Sequence, residues 1–141
     1  MKLSLLSLLG IMLFINAAAQ TTNWKVIHNG SLKMQANKEE GRNAITLSKN
    51  DLEKTGFLWI NYSDKTTARS WKRNIVLVDE NDKEVFKRAG SLCKVGNSFL
   101  RDINKKANTL KIYTWAVPAD PLEAAKVRVR RIHLCTINFK D

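Results

Sequence analysis

Carboxylates are scarce in this chain: 13 Asp and Glu face 24 Lys and Arg, a formal charge of +11 over 141 residues. A surface so biased attracts polyanions of any kind. Histidine is scarcer still, with only His28 and His133. Neither has a nucleophile and an orienting acid beside it in sequence, and no Gly-x-Ser-x-Gly elbow, reactive-Cys motif or phosphate-cradling glycine loop occurs. Both histidines are therefore expected to be structural or simply exposed. The clustered carboxylates, Glu39/Glu40 and Asp79/Glu80/Asp82, fall in turn-like, lysine-rich stretches. Solvated there, they stay ionised rather than gaining the raised pKa of a general acid. EF-hand spacing is missing and Lys83 opposes a Ca²⁺ ion among them. These shortages predict no enzyme, no metal site and no cofactor.

There is one long apolar run. Lys2 precedes LSLLSLLGIMLFIN, which ends in Ala17, Ala18 and Ala19 before Gln20. A dozen apolar residues are short for a bilayer span, and the small residues suit signal peptidase. Residues 1–19 are thus expected to be a secretory signal peptide rather than an anchor. The mature chain would be periplasmic or extracellular, with no membrane span. It retains 122 residues with 23 cations and 13 carboxylates, enough for one domain over 20–141 with its own core. Ten of those cations, against four carboxylates, lie in residues 92–141. Positive charge therefore concentrates toward the C-terminus.

Cysteine is nearly absent, but Cys93 and Cys135 form an even pair in an exported chain, so a disulfide is the expectation. Closing that loop would restrict the unfolded chain by about 4 kcal/mol in the entropy model. Two buried thiols are the competing reading.

Proline is confined to Pro118 and Pro121, leaving the rest of the chain open to ladder pairing. Strand patterns recur about every ten residues. Asn29-Gly30 sits between alternating runs and supplies the positive φ angles of a two-residue hairpin turn. NAITLS (43–48), FLWINY (57–62), NIVLVD (74–79), EVFKRA (84–89) and TLKIYTWAV (109–117) read as strands, with SFL (98–100) a short one. Ser48 can cap one helical turn over KNDLEKTG, and PLEAAK can form another. FLWINY, apolar on both alternations, reads as a central strand with Trp59 in the core. The last strand is expected to start at Lys126, with a bulge at Arg130 or Arg131 that would keep Val127, Val129, Ile132 and Leu134 on one face. The sum is an all-β, two-sheet antiparallel sandwich of jelly-roll type, with eight or nine strands and one or two helical turns. An immunoglobulin-like sandwich is the alternative.

Aromatic residues interleaved with cations are the remaining chemical signal. Lys111, Tyr113 and Trp115 share one alternation of TLKIYTWAV, and pairing with the final strand would add Arg128 and Arg130. A second cluster is RSWKRN, where Trp71 stands among Arg69, Lys72 and Arg73. Aromatic faces stack on pyranose C–H groups, and guanidinium forks grip anions bidentately. The plainer reading is that the aromatics pack under loops and the cations solubilise.

The AAAQ ending of the apolar leader, the strand count, and LWINY followed by WKRNIVLVDENDKEV resemble small exported bacterial β-sandwich proteins, including carbohydrate-binding modules of jelly-roll type. The resemblance implies a ligand class and assigns no binding residue. The positive charge departs from neutral-sugar binders, so the expectation is a non-catalytic module for an acidic polysaccharide or other anionic surface polymer. The alternative is a periplasmic interaction, structural or inhibitor protein that meets an acidic partner. Export makes nucleic acid an unsuitable partner, and the sequence leaves the oligomeric state open.

Overall fold

The computed structural model describes residues 22–65 and 70–141; residues 1–19, expected to be a signal peptide, and Arg69 lie outside them. The described chain runs β1 (Thr22–His28), β2 (Ser31–Ala36), β3 (Ala44–Ser48), α1 (Lys49–Glu53), β4 (Phe57–Asp64), β5 (Trp71–Val78), β6 (Glu84–Ala89), β7 (Leu92–Gly96), α2 (Asn97–Asn104), β8 (Thr109–Pro118), α3 (Pro121–Ala124) and β9 (Ile132–Lys140). Asn29 and Gly30 take φ of 48° and 80°, the left-handed pair that turns β1 into β2 without splaying the strands.

The strands form a four-stranded sheet in the order β2-β1-β4-β7 and a five-stranded sheet in the order β3-β9-β8-β5-β6. The chain crosses between sheets at β2–β3, β3–β4, β4–β5, β6–β7 and β7–β8, giving the jelly-roll-like sandwich its alternating connectivity. β3 lies parallel to β9, the one parallel pair among the described residues. Inward residues of both sheets, Trp24, Val26, Leu58, Ile60, Ile75, Leu77, Leu110 and Ile112 among them, interdigitate in one core. Two ties cross it. The Trp24 indole N–H donates to the Leu134 carbonyl over 2.9 Å, and Arg73 reaches Asp64 and the Thr114 hydroxyl while its guanidinium lies 4.2 Å over the Tyr62 ring.

The helices α1 and α2 cover one end. Ser48 and Asp51 form a reciprocal capping box at the start of α1, satisfying two backbone donors. SFL, read as a strand, instead belongs to the amphipathic α2, and the strand lies just before it, over Leu92–Gly96. Leu100 is buried, and Arg101 donates to the Leu52 carbonyl at 2.7 Å. Two adjacent apolar residues, Phe99 and Leu100, cannot distinguish a helical turn from a strand.

Three further expectations change. Cys93 and Cys135 are free, buried thiols, not a disulfide. β2 lies near β3 and β6 near β7, so β7 and β9 are set toward opposite sides of the sandwich. That adds about two strand spacings, roughly 10 Å, to a gap between sheets of similar size, well beyond disulfide reach. Burial pushes the thiols up to about 11 for Cys93 and about 12 for Cys135.

The final strand starts at Ile132, six residues later than expected, because its pairing with β8 ends at Thr114↔Ile132. Val127 and Val129 therefore alternate with arginines without a ladder, and Val129 is exposed. The bulge exists, but at Leu134, where the register shifts opposite Ile112/Tyr113. It lets the adjacent Leu134 and Cys135 both enter the core. Trp59 is not core: it projects from the outer face of β4, half-buried, while Leu58, Ile60 and Tyr62 fill the interior.

Candidate functional site

The outer face of the five-stranded sheet is set by β8. Leu110, Ile112 and Thr114 point inward and are buried, so Lys111, Tyr113 and Trp115 point outward. β5 and β9 flank them: Tyr113 lies between Val76 and His133, Lys111 between Val78 and Thr136, and Trp115 beside Asn74. Val76 and Val78 are buried although they face outward. Tyr113 and Trp115 beside them are partly exposed.

Cations surround both rings. The Arg131 guanidinium lies 4.3 Å over the Tyr113 ring, and the Lys87 ammonium lies 5.5 Å over Trp115. Asp82, at the β5–β6 turn with φ of 59°, accepts two bonds from Arg131 at 3.0 and 3.4 Å. His133 meets the Tyr113 ring edge-on at 5.5 Å and bonds the Thr136 hydroxyl at 2.9 Å. Burial, and then Lys111, hold the imidazole below its ordinary value, favouring the neutral ring. Lys87 and Lys111 are exposed and make no ion pair among the described residues.

Lys111, Tyr113 and Trp115 thus share a face as expected, but Arg128 and Arg130 do not project from a paired strand beside them. Both lie in the connection from α3 to β9, where Arg130 is bonded to Glu39. Arg131 takes the place foreseen for them. Glu39 also accepts the His133 backbone N–H at 2.6 Å. Although partial burial opposes ionisation, these bonds hold its carboxyl below the ordinary range.

The chain matches no known protein family, no curated protein and no solved structure.

The second cluster divides. Trp71, 37% exposed, opens β5 opposite Pro118, beside a recess of about 380 Å³ formed with Asp64, Lys72 and Gly90. Arg73 is not part of an exposed basic surface: its side chain is 9% exposed and engaged with Asp64, Thr114 and Tyr62. Strand alternation accounts for this, since Arg73 shares the inward face of Ile75 and Leu77.

Sequence reasoning passed over two features. A polar cleft of about 960 Å³ lies along β2 and the β2–β3 connection, lined by Asn23, Lys25, Gln35, Lys38, Arg42 and Asn43 among others; its residues are dispersed polar singles without a motif. The outer face of the four-stranded sheet carries Phe57, Trp59 and Lys94 together, and Lys94 Nζ sits 3.8 Å over Phe57 and 5.0 Å over Trp59. The apolar residues on both alternations of FLWINY were the available signal.

Proposed function

We propose that this chain is an exported, non-catalytic binding module for an anionic polysaccharide or related anionic surface polymer, engaged by the outer face of the five-stranded sheet. The observation that carries the reading is the outward pair Tyr113 and Trp115 with Lys87, Lys111 and Arg131 around them. Aromatic faces offer apolar contact to sugar C–H groups, and nearby cations compensate carboxylate or sulfate charge. A neutral His133 adds a polar ring to the same face without adding charge. Lys87 and Lys111, exposed on flexible stems, can be drawn to a ligand anion at little structural cost.

A glycan array with the mature protein checks this. Uronic-acid or sulfated glycans should bind, neutral glycans should not, and raising the salt should weaken binding. Trp115→Ala should remove the signal while the folded far-UV spectrum persists. An array blank for acidic glycans, or one unchanged by Trp115→Ala, would reject the platform. A blank array together with a stoichiometric acidic partner recovered from periplasm would favour an interaction protein.

A further inference from the structure

We propose a second interaction surface, on the outer face of the four-stranded sheet, that docks an acidic protein segment carrying apolar side chains. Cross-strand register places Leu32, Ile27, Trp59 and Lys94 in one row across all four strands. Phe57 and Leu92 flank that row. Leu32 is 55% exposed, Leu92 50% and Phe57 41%. Three of the six exposed large apolar residues among those described therefore lie on this face. Concentrated in one place, they mark an interface more than scattered exposure does.

Charge selects the partner. The outward positions of the four strands include Lys25 and Lys94 and not one carboxylate. A second copy of this chain would gather four lysines and no carboxylate into one interface and is disfavoured. The exposed aliphatic side chains of Leu32 and Leu92 suit a partner's apolar side chains better than a sugar's hydroxyl groups. A carboxylate can pair with Lys94 where it stands, while an apolar side chain packs beside Trp59 and Leu92. The opposite sheet presents its cations around a tyrosine and a tryptophan; this one presents apolar area with cations set into it.

Panning a displayed peptide library on the full chain tests the assignment. Enriched peptides should combine Asp or Glu with Leu, Phe or Trp. They should bind Leu92→Ser at least about tenfold more weakly, and bind Leu122→Ser, altered at an exposed apolar residue outside this face, as they bind the parent. Panning on Lys94→Glu should shift selection toward Lys- and Arg-bearing peptides. Trp115→Ala should leave peptide affinity unchanged, which separates this surface from the glycan platform. The proposal is overturned by no enrichment, by equal loss in Leu92→Ser and Leu122→Ser, or by an unshifted selection on Lys94→Glu. A dimer dissolved by Leu92→Ser would also overturn it, as would glycan binding lost in Trp59→Ala.

Discussion

Trp24 fills the core with its ring and joins the sheets with its N–H, which meets a carbonyl exposed by the bulge at Leu134. Trp24→Phe keeps an aromatic ring but leaves that carbonyl buried without its donor. The expected loss is about 1–3 kcal/mol in urea unfolding, and an unchanged midpoint would contradict the tie. Cys93 and Cys135 should react slowly with a thiol reagent in the native protein, since burial disfavours the thiolate. Two thiols should titrate in denaturant without reductant; none would restore the disulfide. For His133 the folded value lies below the ordinary 6.5, so the unfolded chain binds the proton more readily. Its stabilising contribution is complete above about 6.5 and is lost as pH falls through that value toward the lower folded one. His133→Gln should flatten the stability change between about pH 7.5 and 5.5, read as urea midpoints; parallel slopes for variant and parent would refute it.

Local chemistry decides some elements and long-range pairing decides others. The Asn29-Gly30 turn, the Ser48 cap and the alternation of β8 were readable because each depends on a few neighbouring residues. KVRVRR was misread because alternation records only that a strand could form. β8 has no β9 partner beyond Thr114, so the valines have no ladder to join. Likewise, an even cysteine count says nothing of which sheet each residue occupies. The helical end depends on contacts distant in sequence: Asn97 Oδ1 accepts from His28 Nε2, and Asn97 Nδ2 donates to Asn29 Oδ1 and the Lys54 carbonyl, at 2.8, 2.9 and 2.8 Å. A Cβ on Gly56 would fall 2.0 Å from Asn29 Oδ1. Gly56→Ala must therefore displace Asn29 from this network. A destabilisation of about 1–3 kcal/mol is expected, with the loss centred on amide-exchange protection at α1 and α2; a neutral effect would show that the network yields easily.

At the scale of the whole molecule, the two sheets turn different surfaces outward from a shared core. One carries partly exposed aromatics ringed by Arg131, Lys87 and Lys111, and the other an apolar row with Lys94 set over its rings. Net charge complicates any binding experiment, because +11 draws every polyanion. A variant that preserves charge separates a built face from general attraction. Trp115→Ala removes a ring and no charge, whereas Lys54→Ala removes an exposed charge outside the face. The deciding measurement is the affinity of parent, Trp115→Ala and Lys54→Ala for one uronic-acid polysaccharide at a fixed salt concentration, by titration calorimetry. A built face predicts a loss of about tenfold or more for Trp115→Ala, far beyond that for Lys54→Ala. Equal losses, or a larger one for Lys54→Ala, would reduce binding to net charge and contradict the account.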